Sequence, residues 1–127
     1  MKRFVIAVLV AFLSFTTLSF AGSDQAKQQA PEQRAWRLID DGALLIDVRS
    51  RQEFEAGHLD NSINIEFDKV GELTAAIGEN KDRDVVVYCR SGKRAERAKE
   101  SLKGYGYNNI FNGKGYDGLK KERQNSG

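Results

Sequence analysis

Val85-Val86-Val87-Tyr88-Cys89-Arg90-Ser91-Gly92-Lys93-Arg94-Ala95 carries most of the architectural information in this chain. Four apolar residues in a row, without the alternation of a half-exposed strand, read as a strand covered on both faces. A short loop with a glycine and three cations follows, and a helical pattern from about Lys93 to Lys103 begins at once, with Gly104 expected to end it. Cys89 is the sole cysteine of 127 residues. It therefore cannot close an intramolecular disulfide and is either paired with another molecule or a reactive thiol. At a helix start among Arg90, Lys93 and Arg94, the thiolate form is favoured, which points to sulfur chemistry.

Working outward, strand and helix patterns alternate. Pro31 to Asp40 reads as a helix with Pro31 in its first turn and Trp36 and Ile39 on one face. Asp41-Gly42 breaks it, and Ala43 to Val48 is a second buried strand. Ser50-Arg51-Gln52-Glu53 has the capping-box pattern of a short helix that Gly57 closes. Ser62 to Ile65 is a brief strand. Asp68 to Ile77 has helical spacing, with Val70, Leu73 and Ile77 on one side. Beyond the central helix, Asn109 to Phe111 is a last short strand, Gly113 and Gly115 read as a turn, and a final helix starts near Tyr116. Short links between strands and helices imply an α/β fold, a central parallel sheet with helices on both faces. Ligands of such sheets sit beyond the carboxyl ends of the strands, where Cys89 falls.

The N-terminus reads as an export signal. Lys2 and Arg3 precede an apolar run from Phe4 to Phe15, and Ser19-Phe20-Ala21 suits cleavage after Ala21. The run is short for a membrane span, which needs about 20 residues. The expected organisation is a signal peptide over 1–21, a flexible lead-in over 22–30 and one domain over 31–127. In a bacterium the mature protein would be periplasmic, with no membrane partner after cleavage. Loss of Lys2 and Arg3 from 20 basic residues balances the 18 acidic ones. That neutrality gives no reason to expect a nucleic-acid partner.

Leu45-Ile46-Asp47-Val48-Arg49, Glu53-Phe54, Gly57-His58-Leu59 and Ser62-Ile63-Asn64-Ile65 together resemble the N-terminal signature of rhodanese domains, and Val87 to Ala95 resembles their active-site loop. The ordered set covers about Asp41 to Leu119 and is most similar to the small single-domain periplasmic group. The resemblance implies a thiosulfate sulfurtransferase with Cys89 as nucleophile and Arg90, Ser91, Gly92, Lys93, Arg94 and Ala95 as the substrate cradle. It implies no cofactor beyond a covalent persulfide, and as partners a small sulfur donor and acceptor or a thiol protein. Asp47 and Arg49 would support the site from behind, with Arg49 pairing with Glu53. Two departures stand out. Lys114-Gly115 and Leu119 replace the family's usual Gly-Gly pair and Trp. Ala95 replaces a frequent Ser or Thr, removing a hydroxyl that would meet the sulfur.

The loop chemistry has its own logic. Thiolate and persulfide are both anions and need donors converging on one point, which consecutive amides at a helix start supply. Gly92 permits the backbone angles required, and Arg90 and Arg94 suit the sulfonate end of the donor. His58, the only histidine, has no proton to relay in this displacement and reads as structural. One Cys and one His give no metal-ligand spacing, and no second cysteine gives a redox dithiol. A phosphatase or arsenate reductase of related fold would place arginine where Ala95 stands, one residue after Arg94. A persulfide carrier fed by a partner protein is the alternative from another functional class.

Overall fold

The computed structural model describes residues 29–127. The expected signal peptide and most of the lead-in lie outside the described residues. Helix α1 (Pro31–Asp40) leads into β1 (Leu44–Asp47), α2 (Arg51–Ala56) and β2 (Ile63–Asn64). Next come α3 (Val70–Ile77), β3 (Val85–Cys89), α4 (Lys93–Gly104), β4 (Ile110–Gly115) and α5 (Tyr116–Asn125). The four strands form one parallel sheet in the order β2-β1-β3-β4. Central β3 is buried at all five residues, as a strand covered on both faces must be.

The pleat divides that strand between two cores. Val85, Val87 and Cys89 face Leu73 and Ile77 of α3 and Ala95, Ala98 and Leu102 of α4. Val86 and Tyr88 face Ala35 and Trp36 of α1 and Leu119 of α5. Leu119, where the resemblance led one to look for Trp, is fully buried, and its carbonyl accepts a 2.8 Å hydrogen bond from the Trp36 indole. Among the described residues, no helix is long and apolar enough to cross a membrane.

One expectation at the C-terminal half holds and one is corrected. Gly104 is the last residue of α4, as expected, and the positive φ of +91° falls two residues on, at Gly106. Gly113 and Gly115 are not a turn: β4 continues through them to Gly115. Gly113 is used for close packing, since a Cβ there would stand 3.1 Å from Val86 and 3.4 Å from Ala35. Val87 pairs with Asn112 and Cys89 with Gly115, so Gly113 and Lys114 together oppose Tyr88 alone. The sheet thus carries a bulge beside the cysteine.

Candidate active site

Strand β3 delivers Cys89 to the carboxyl edge of the sheet and α4 starts soon after, so the chain must reverse within Arg90-Ser91-Gly92. Gly92 makes this possible with φ of +95°, an angle that side chains resist. Its amide donates to Cys89 Sγ at 3.0 Å, and the thiol is fully buried. The first helical bond of α4 runs from the Glu96 amide to the Gly92 carbonyl, 2.9 Å. Lys93, Arg94 and Ala95 precede that bond, so their amides have no carbonyl within the helix to satisfy them. No side chain caps this helix start. The loop therefore presents one donor on the sulfur, the Gly92 amide, and three further amides without helical partners at the start of α4.

The loop is clamped on two sides. Asn112, buried in β4, donates to the Gly92 carbonyl and to Glu96 Oε2, both at 2.9 Å, and its own oxygen accepts from the Lys114 amide at 2.9 Å. Gly115 is a steric necessity, because a Cβ there would collide with the Arg90 carbonyl oxygen. On the other side, Arg94 donates to both oxygens of Glu53 at 2.7 and 3.0 Å. Glu53 is also the reciprocal partner of Ser50 in the capping box of α2. One carboxylate thus fixes the start of α2 and the first turn of α4. Hydrogen bonds from Arg94 hold its pKa at about 2, against burial and with help from Ser50. Those bonds raise the Arg94 pKa in turn, and the charges of Glu53, Cys89 and Asp47 add to the rise.

This arrangement corrects the expected partner of Arg49. It pairs with Asp47, not Glu53: Nε reaches Asp47 Oδ1 and Oδ2 at 3.0 Å and Nη2 reaches Oδ2 at 2.6 Å. The same Nη2 donates to the Gly57 carbonyl, and the guanidinium lies 4.6 Å from the Tyr116 ring centroid. Asp47 is fully buried. Burial works against the Arg49 charge, but the hydrogen bonds and charge of Asp47 outweigh it and raise the pKa. Asn64 ties the strand end together, donating to the carbonyls of Asp47 and Arg49 at 3.0 and 2.9 Å. Beneath, Tyr88 accepts a hydrogen bond from the Leu59 amide and shares one with Ser62, and burial pushes its pKa up to about 12.

Arg90, Ser91 and Lys93 are exposed on the loop, while Ala95 is buried in the core. A cavity of about 220 Å³ beside the loop is lined by Arg49, Glu53, Ala56, Arg90, Tyr116 and Asp117. His58 stands apart on the surface, stacked on Phe54 at 3.7 Å and donating through Nδ1 to the Phe54 carbonyl. Among the described residues, no group of His, Cys, Asp or Glu side chains could hold a metal ion. Sequence reasoning missed Asn112 and the Glu53–Arg94 clamp. The signal for the first was a polar amide inside an apolar strand, next to Gly113.

Known proteins bear on this geometry. Two tRNA uridine(34) hydroxylases are similar over part of their length: that of Erwinia tasmaniensis is 36% identical over 101 residues, covering 76% of this chain and 29% of the relative. That of Escherichia coli O1:K1 is 37% identical over 87 residues, covering 65% of this chain and 25% of the relative. The chain thus spans less than a third of these curated relatives. A solved rhodanese with anions from E. coli shares 33% identity at a TM-score of 0.56, over 60% of this chain and 89% of that one. A human single-domain sulfurtransferase shares 28% identity at a TM-score of 0.55, over 72% of this chain and 92% of its own. Residues 32–122, from within α1 into α5 and including the whole cysteine loop, match the rhodanese-like domain, and the chain belongs to that family.

Proposed function

We propose that this protein is a sulfurtransferase that takes the outer sulfur of thiosulfate onto Cys89 and passes it to a thiophilic acceptor. The observation that carries the reading is the Gly92 amide set 3.0 Å from Cys89 Sγ, in a loop with Ala95 where a phosphatase of related fold would carry arginine. In the first step the thiolate forms an S–S bond to the outer sulfur, and the donor's own S–S bond breaks with its electron pair leaving on sulfite. In the second, cyanide or a thiolate attacks the terminal sulfur and the pair returns to Cys89. Two anions enter and two leave in each step, so no proton relay is needed at sulfur. The loop amides stabilise the sulfur charge in both states. Arg90 meets the sulfonate end, and Arg94, held by Glu53, sets the loop and its field.

Complete burial of Cys89 favours a small donor over a bulky one. The hydroxylase activity in the longer relatives' names belongs to proteins of which this chain spans 29% or less. The basic start, apolar run and Ser19-Phe20-Ala21 support export with cleavage after Ala21, to the periplasm in a bacterium, which fractionation of an expressing bacterium tests.

Intact mass before and after thiosulfate, and again after cyanide, tests the chemistry. A gain of about 32 Da that cyanide removes as thiocyanate is expected for a persulfide on a nucleophilic thiol. Cys89→Ser abolishes both the gain and thiocyanate formation while the circular dichroism spectrum is kept; retained turnover would sink the assignment. No gain with thiosulfate, but a gain from a protein persulfide, would turn the reading to a carrier.

A further inference from the structure

We propose that Lys114 is an anion-positioning residue of the cysteine loop, its ammonium drawing the negatively charged sulfur donor toward Cys89. The identity of that donor rests on the sulfurtransferase reading; the effect on Cys89 stands apart from it.

Lys114 occupies a backbone conformation that lysine does not favour. Among the described residues, only Asn61 and Lys114 combine a side chain with positive φ, at 65° and 76°. Asparagine tolerates the left-handed region; lysine is held there by its surroundings. Here the bulge opposite Tyr88 does the holding, with the Lys114 amide bonded to Asn112 Oδ1. Asn112 also grips the Gly92 carbonyl, so one side chain locks Lys114 to the loop.

The lysine stem runs against Gly92 itself. A Cβ on Gly92 would stand 3.0 Å from Lys114 Cδ and 3.3 Å from its Cα. Gly92 is the residue whose amide donates to Sγ. Arg49 and Arg94 are committed to Asp47 and Glu53, while Arg90, next to the cysteine, forms no salt bridge among the described residues and is joined by Lys114 as a second uncommitted cation. Lys114 is exposed and forms no salt bridge among the described residues. A glycine would occupy this bulge without strain, so the structure keeps a cation where the backbone would prefer none.

The test compares the wild type with Lys114→Gly, Lys114→Asn and Lys114→Arg in two assays. The first is the ratio of Cys89 alkylation rates by iodoacetate and by neutral iodoacetamide, which reads the field at sulfur without any sulfur transfer. The ratio is expected to fall about fivefold in the Gly and Asn variants at low salt and to be kept in the Arg variant, as loss of one nearby charge requires. The second is thiosulfate kinetics, where KM rises by a similar factor with kcat held. An unchanged ratio in the neutral variants overturns the proposal. If the wild type takes no sulfur from thiosulfate yet the ratio falls, the donor was misassigned and the role of Lys114 stands. Both neutral variants relax or tolerate the left-handed backbone, so loss of fold does not confuse the result.

Discussion

Two arginine–carboxylate pairs flank the cysteine loop, and they differ in burial and in what they join. Asp47–Arg49 is sealed, with side chains 0% and 7% exposed; Glu53–Arg94 sits at the rim, at 31% and 29%. Both are two-pronged. The sealed pair bonds to its own strand end, to Gly57 and against Tyr116, and so fixes how the chain leaves β1. The rim pair joins two elements, tying the cap of α2 to the first turn of α4. Burial decides what each pair does. Where water cannot replace a lost partner the pair is a rigid fixture, and where it can the pair is an adjustable clamp.

Asp47→Asn breaks this comparison most severely. It strands a buried guanidinium without its countercharge, a loss of roughly 3–5 kcal/mol. Urea denaturation is expected to show a large drop in midpoint or an unfolded protein, and a loss near 1 kcal/mol would mean that water reaches the site. Arg49→Lys is milder. An ammonium keeps the charge but loses the fork and the stacking on Tyr116, at about 1–3 kcal/mol in the same assay.

Regular features were legible because they rest on short-range rules. The apolar run Val85 to Tyr88 named the central strand, and Ser50 with Glu53 named the cap of α2; both are present. The Arg49 partner was misread because a four-residue spacing to Glu53 suggests contact only when both residues are helical. Arg49 precedes the N-cap Ser50, so its side chain folds back onto Asp47 in the turn. Likewise Gly113 and Gly115 read as a turn because glycine marks turns, whereas here close approach to Val86 and to the Arg90 carbonyl demands them. The loop's length and its cysteine were visible in the sequence. What holds the loop, Asn112 and Glu53 reaching from distant elements, depends on tertiary approach that no local pattern encodes.

Glu53→Gln probes the rim pair, and here pH gives the sharper measurement. The carboxyl titrates near 4.5 when unfolded and at about 2 when folded. A depressed folded pKa means stabilisation that is fully present above pH 4.5 and is lost as the pH falls toward 2. Solvent screening at this half-open position limits the effect to about 1 kcal/mol at neutral pH. The variant is therefore expected to unfold at slightly lower urea than the wild type at pH 7, with the gap closing between pH 4.5 and 2. Asp40 contributes in the same direction, since its bond from Arg123 lowers its pKa too, but it does so equally in both proteins and cancels in the difference. A gap that stayed constant down to pH 2 would assign the loss to the capping geometry of α2 instead of the charge on Glu53. The rim pair would then be a fixture like its buried neighbour, and exposure would not be what separates them.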